Sequence, residues 1–194
     1  MTTTHFILEC IDCGHRAPMS GASGACPRCN SEWQEARYDY PAFGSMLSNM
    51  LTNRPFDLWR YKELLPIRNP SNVITMGEGG TPLLHGYNLG LMLGRPYIYV
   101  KDERQGPTGS FKDRQASIAV SAMKENGITE AVLSSTGNVA ISYSAYCARA
   151  GIKLWAFLNS AVPSDKMHEV ALYGTQVVKV TGTYDRAKEL ATEF

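Results

Sequence analysis

Charge of one sign is missing from this chain: 19 Lys and Arg stand against 18 Asp and Glu, a formal charge of +1 over 194 residues. Without a basic field there is no electrostatic case for nucleic acid or an anionic membrane surface as a partner. No apolar stretch approaches the roughly 20 residues that cross a bilayer. Met1-Thr2-Thr3-Thr4-His5 lacks the basic start and apolar core of a secretory signal. Cysteine is scarce too, five in all, and in a chain with no secretion signal this fits a reducing compartment, where thiols bind metal or pack in cores. The expectation is a cytoplasmic globular protein of one or two domains, with no nucleic-acid and no membrane partner.

Four of those cysteines are paired in sequence, as Cys10-Ile11-Asp12-Cys13 and Cys26-Pro27-Arg28-Cys29, across a loop of Gly, Ser and Ala. A tight turn aims both sulfurs of a pair to one side, and two such turns supply the tetrahedral thiolates of a structural zinc site. Phe6–Leu8 and Ala36–Tyr38 read as the flanking strands of a zinc ribbon. Roughly 40 residues bury too little surface to fold alone, so the metal would supply much of the module's stability. Two disulfides or free thiols are the plainer alternative, and sulfur ligands admit iron as well as zinc. With all four positions taken by protein, the site is structural. His15 reads as a solvated loop residue.

From about Tyr40 to Arg68 the chain carries Pro41, Pro55 and Pro66 and no clean periodicity. Phe43, Phe56, Trp59 and Tyr61 indicate packing against a core rather than a free linker. Met76-Gly77-Glu78-Gly79-Gly80-Thr81-Pro82-Leu83 follows, which on its own is turn chemistry. From Tyr97 the pattern turns regular. The strands read Tyr97–Lys101, Ala131–Leu133, Leu154–Leu158 and Gln176–Val180. The helices run from near Ser110 to Gly127, Val139–Ala150, Asp165–Tyr173, and from Tyr184 onward. This alternation predicts an α/β fold with a parallel sheet and flanking helices. The first of these helices starts with Ser110 as cap and Asp113 in the capping-box place. The last has no stop signal before Phe194, and the expectation is a truncated chain.

Lys101-Asp102-Glu103-Arg104-Gln105-Gly106-Pro107-Thr108-Gly109-Ser110-Phe111-Lys112-Asp113-Arg114 is the most informative stretch. Lys112 falls in the first turn of a helix, where the positive end of the macrodipole disfavours an ammonium. An amine must be neutral to form a Schiff base. Spacing alone also suits a solvated lysine beside Asp113. Ser134-Ser135-Thr136-Gly137-Asn138 then follows a strand and opens a helix, where backbone N–H groups can hold an anion.

These segments together resemble the threonine synthase branch of the fold-type II pyridoxal-phosphate enzymes. The lysine stretch resembles that family's cofactor-lysine motif, with Gly106 in place of a common asparagine. Ser134–Asn138 is similar to its Ser-Thr-Gly-Asn loop, although Val139 stands where many relatives have threonine. Gly77–Leu83 resembles the segment that precedes the lysine motif, and a four-cysteine ribbon occurs in a subset of members. The resemblance implies pyridoxal 5'-phosphate held by Lys112, with Asn138 and Phe111 also at the cofactor. Ser135, Thr136, Gly137 and Ser110 would lie at the substrate, and structural zinc on Cys10, Cys13, Cys26 and Cys29.

It also implies a carbon–oxygen lyase that converts O-phosphohomoserine and water to threonine and phosphate, with room for a homodimer at full length. A serine/threonine dehydratase, a cysteate synthase and a non-catalytic remnant stand as alternatives. The implied organisation is a ribbon over 1–40, the N-terminal part of a large cofactor domain over 41–109, and a small α/β domain over 110–194, incomplete at its C-terminus. The family's glycine-rich phosphate cradle falls beyond Phe194.

Overall fold

The computed structural model describes residues 6–18 and 24–194. The terminus Met1–His5 and residues 19–23 of the loop between the cysteine pairs lie outside the described residues. The first module is a three-stranded antiparallel sheet in the order β2-β1-β3, built from β1 (Phe6–Cys10), β2 (Arg16–Ala17) and β3 (Gln34–Tyr38). β1 pairs with β3 along its whole length, from Phe6 opposite Tyr38 to Cys10 opposite Gln34. Both strands expected here are present.

The region without periodicity begins with a helix, α1 (Tyr40–Leu51). Asp39 caps it by accepting from Ala42 N at 3.1 Å, and Pro41 sits in its first turn, where a missing N–H costs nothing. Phe43 is buried while Tyr40 and Met46 are exposed, so the apolar residues form no single stripe. That is why the helix escapes a periodicity test. A short 3-10 helix follows over Leu58–Leu64, capped by Asp57 and braced by Arg54, whose guanidinium forks onto Glu63 at 2.6 and 2.7 Å. Of the aromatic residues expected to pack, Phe43 does. Phe56 and Tyr61 instead flank the guanidinium of Arg60 at the surface, 4.7 and 5.6 Å from their ring centres.

β4 (Leu83–His85) and β5 (Tyr99–Lys101) form an antiparallel pair, separated in sequence by α2 (Tyr87–Leu93). The strand expected at Tyr97–Lys101 therefore exists in part, but it does not open the parallel sheet. Its partner is the segment just before it, a local pairing that needs no crossover.

The parallel sheet comprises β6 (Glu130–Ser135), β7 (Lys153–Asn159) and β8 (Gln176–Val180), in that order. Its helices are α3 (Lys112–Glu125), α4 (Asn138–Ala150), α5 (Ser164–Leu172) and α6 (Tyr184–Glu193). Alternation along β7 sorts the layers. Ala156 and Leu158 pack with Ile141 of α4 and Val170 of α5, whereas Phe157 packs with Ala187 of α6. Helices thus cover both faces, the arrangement an apolar parallel sheet requires. A further buried cluster joins Ala116 and Val120 of α3 to Ala145 and Tyr146 of α4. The ends of both β6 and β7 lead straight into loops at the carboxyl edge, where sheets of this type bind ligands.

Candidate functional site

Lys112 is the first residue of α3, and the loop before it is tied down on every side but its own. Asp113, fully buried, accepts from Thr108 N at 2.9 Å and also from the Thr108 hydroxyl. Thr108 Oγ1 lies 2.8 Å from Ser142 Oγ, one turn into α4. Ser110 Oγ accepts from Lys112 N at 3.3 Å. The capping box expected of Ser110 and Asp113 is thus not formed, because the Asp113 carboxylate closes the loop onto Thr108 instead. The Lys112 ammonium lies 4.5 Å over the exposed Phe111 ring, and among the described residues it has no hydrogen bond and no ion pair.

Around it the charges are matched. Arg114 donates to Glu103 at 2.9 Å from both Nε and an Nη, and at 3.2 Å to Thr81 Oγ1, which itself donates to Glu103 at 2.8 Å. Lys101 Nζ holds the Thr81 carbonyl, and Asp102 N donates to Pro82 O at 2.9 Å. The Arg114 guanidinium keeps the Glu103 carboxyl below its ordinary range, and the Arg104 guanidinium draws Asp102 down to about 2. Three stretches that stand apart in the sequence are thereby locked together: Gly79–Pro82, Lys101–Arg104 and the start of α3.

The paired glycines earn their place by close approach. A Cβ at Gly79 would meet Leu58 N, and one at Gly80 would meet Phe56 O, with φ at +106° and +59°. Between them and the core lies Glu78, fully buried. It accepts from Trp59 Nε1 at 2.8 Å, Thr75 Oγ1 at 3.1 Å, Met76 N at 2.9 Å and Tyr146 OH at 2.5 Å. Trp59 Nε1 also reaches Ser117 Oγ of α3 at 3.0 Å. Neither Glu78, Tyr146 nor the Arg114–Glu103 fork is recognisable from spacing. The one available signal is a glutamate inside a glycine cluster.

The second loop stands at the carboxyl end of β6. Ser135 is buried, and its Oγ accepts from Gly137 N at 3.1 Å and Ala140 N at 3.2 Å, satisfying two free amides of the α4 start and leaving its own proton to donate. Thr136 is exposed. Asn138, the first residue of α4, receives Lys166 Nζ of α5 on its Oδ1 at 3.0 Å. A lysine can only donate, so the amide's NH2 is the end left to face a ligand. Gly137 makes room for this, since a Cβ there would sit 3.2 Å from Lys166 Nζ. Ser134 Oγ, just before the loop, is buried with no partner. Sequence reading missed Lys166, which lies in a different helix from the loop it serves.

In the antiparallel module the four cysteines converge, their sulfurs all within 4.8 Å of one another, with Cys10–Cys29 and Cys13–Cys26 each at 3.6 Å. A zinc–sulfur bond of about 2.3 Å implies a tetrahedron edge of about 3.8 Å, whereas a disulfide requires about 2.05 Å. The thiols are unpaired, which sets the disulfide alternative aside. The two knuckles repeat each other: Gly14 N bonds Cys10 O at 2.9 Å, Asn30 N bonds Cys26 O at 2.8 Å, and both residues have φ near +60°. The backbone N–H of Cys13 leads the effects that bring the Cys10 thiol down to about 7.

The family described as "Pyridoxal-phosphate dependent enzyme" matches residues 74–194. Threonine synthase of Methanocaldococcus jannaschii is 37% identical over 190 residues, covering 97% of this chain and 46% of its own length. That of Methanosarcina acetivorans is 33% identical over 185 residues, covering 94% and 44%. The solved structure of processed threonine deaminase isoform 2 from Solanum lycopersicum aligns with a TM-score of 0.53 at 27% identity, covering 58% of this chain and 33% of that one. The chain spans a little under half the length of the threonine synthases it matches.

Proposed function

This chain belongs to the pyridoxal-phosphate-dependent enzymes of fold type II, and from that premise we propose that it is the lysine-bearing part of a threonine synthase. The reaction is the conversion of O-phosphohomoserine and water to threonine and phosphate. The observation that carries the reading is Lys112: an amine at a helix start, unpaired among the described residues, inside a loop whose other charged side chains are all hydrogen-bonded. The residues present fit the cofactor. Besides the free amine, the Asn138 amide turns its donor end outward and Ser134 Oγ is buried without a partner beside it.

When bound, pyridoxal phosphate supplies an electron sink for carbanion chemistry. Lys112 Nζ would hold it and, once released, carry protons to and from substrate carbon. Asn138 Nδ2 would donate to an oxygen on the ring, beside Phe111. The amide end of α4 at Ser135, Thr136 and Gly137, with Ser110 across the seam, would receive the substrate carboxylate. Cys10, Cys13, Cys26 and Cys29 would hold one structural zinc, a reading supported by the 3.6 Å sulfur spacings. Divisions at 40 and 109 separate the ribbon, the hairpin region and the α/β part. The five unpaired thiols favour a reducing, cytoplasmic setting.

The test is spectroscopic first. Added pyridoxal phosphate should give a visible absorbance band that Lys112→Ala abolishes, while the thermal midpoint of the apo chain stays put, since the side chain contacts little else. Assay of O-phosphohomoserine against threonine then separates the reactions. Ammonia and 2-oxobutyrate from threonine, with no threonine from the phosphoester, would identify a dehydratase, the activity of the tomato relative's class.

A further inference from the structure

The Asn138 side chain has two ends of similar size and opposite chemistry, a carbonyl that accepts and an NH2 that donates. Which end meets a ligand is decided by what holds the other. Among the described residues one group does so: Lys166 Nζ, 3.0 Å from Asn138 Oδ1. The lysine reaches it from α5 with its stem laid over Gly137. A Cβ there would stand 3.2 Å from Nζ, 3.5 Å from Cδ and 3.9 Å from Cε. Both helices are anchored beside this contact. Ile141 of α4 and Val170 of α5 share a buried cluster, and Met167, the residue after Lys166, packs against it. Ser135 Oγ fixes the loop by accepting from Gly137 N and Ala140 N. With the backbone set on both sides, what remains for Lys166 to choose is the sense of the amide.

We propose that Lys166 is a positioning residue for the cofactor. By holding the carbonyl end of Asn138 it commits the NH2 end to the oxygen on the pyridoxal ring, and so keeps that oxygen ionised. The inference rests on the cofactor reading above and adds to it the group that sets the ring's charge state. An N–H donor stabilises an oxyanion, whereas a carbonyl in its place would accept a proton and favour the neutral hydroxyl. The two senses of one amide therefore select opposite charge states. An ammonium settles the sense firmly, since charge-assisted hydrogen bonds are about twice as strong as neutral ones. It also draws electron density toward Oδ1, which makes the NH2 a better donor. Among the described residues Lys166 forms no ion pair, so no carboxylate competes with Asn138 for it. A purely structural tie between α4 and α5 would not need this polarity. A carboxylate at position 166, accepting from the NH2, would tie the helices as well.

Lys166→Glu separates the two roles, because it keeps a hydrogen bond to residue 138 and turns the carbonyl toward the ring. Pyridoxal phosphate is added to the full chain, and the spectrum of Lys112→Ala is subtracted. Wild type should show the visible band of the ionised ring oxygen. In Lys166→Glu most of that intensity should pass to the near-ultraviolet band of the protonated form. Asn138→Asp, which offers the ring only an acceptor, should show the same displacement. Lys166→Arg, a donor only like lysine, should keep the wild-type band. A structural tie alone would change the amount of cofactor taken up and leave the band in place. The apo chain supplies a second readout. Asn138→Asp should raise the thermal midpoint by about 1–4 °C more with Lys166 present than in a Lys166→Met background, because the carboxylate gains the ammonium. A visible band undisturbed in Lys166→Glu, a displaced band in Lys166→Arg, or equal midpoint changes in the two backgrounds would each overturn the proposal. A wild-type chain with no Lys112-dependent band would overturn the cofactor reading itself and this inference with it, an outcome distinct from a band that is present and unmoved.

Discussion

Tyr146, in the middle of α4, donates its hydroxyl to the carboxylate of Glu78 at 2.5 Å, across 68 residues of sequence. Burial, and then the carboxylate itself, push the tyrosine well above its ordinary value, so it remains a donor throughout the working range. The same carboxylate receives Trp59, whose indole also touches α3. One buried acid thus joins the glycine segment, the 3-10 helix and the helix pair that carries the site.

Glu78→Gln keeps the shape but sets an NH2 against donors. The expected loss is about 2 kcal/mol, which for a chain of this size lowers the thermal midpoint by about 4–8 °C. Trp59 fluorescence should shift in the folded state. A midpoint equal to wild type would show that the network does not hold the segments together.

Gly80→Ala places a methyl against Phe56 O at a φ of +59°. Backbone strain of this kind costs about 1–3 kcal/mol. The damage should spread to the lysine loop through Thr81, so cofactor uptake should fall more steeply than stability. Equal falls in both would argue against that coupling.

The Arg114–Glu103 fork sets an acid limit. The folded state holds the Glu103 carboxyl below the ordinary 4.5, so its contribution is full above that value and disappears as pH falls through the lower, folded value. Glu63, held down by Arg54, follows the same sign. Arg114→Gln should raise the midpoint of acid unfolding and lower stability by the fork's full contribution at neutral and alkaline pH, the variant and wild type converging only in acid. An unchanged acid midpoint in the variant would remove the fork from this role.

Removal of metal should act on the ribbon alone. One zinc per chain is expected, and cobalt in its place should give the intense bands of a tetrahedral thiolate site. A chelator should unfold β1, β2 and β3 while the parallel sheet keeps its exchange protection. Cys13→Ser should weaken binding without unfolding α3 or α4. Retention of the ribbon's structure in the presence of chelator would show that hydrogen bonds, not metal, close the knuckles.

Much of the α/β half was legible. β8 has the bounds expected of it, and the helices over α4, α5 and α6 differ from their predicted starts by a residue at most, because Gly137, Pro163 and Thr183 mark those starts. The loops that lead into Lys112 and Asn138 also fall where the sequence places them. What was hidden lay in partners rather than periods. α1 is signalled by Asp39 and Pro41, a cap followed by a first-turn proline, but its scattered apolar residues mask it. β5 reads as a strand in isolation, and nothing within its own residues says that it pairs backward to β4. Lys166 reaches Asn138 from α5, and Tyr146 of α4 and Trp59 of the 3-10 helix meet at Glu78; such long-range bonds leave no local pattern in a sequence.

Lys112 and Asn138 each begin a helix, and the two helices share the buried cluster of Ala116 and Val120 with Ala145 and Tyr146. Their spacing is therefore gauged by alanine methyls a turn or two away from either side chain. In an engineered or diverging lineage, those alanines are the calibration screws: one added carbon there resets the gap between the Lys112 amine and the Asn138 amide while leaving both side chains as they were.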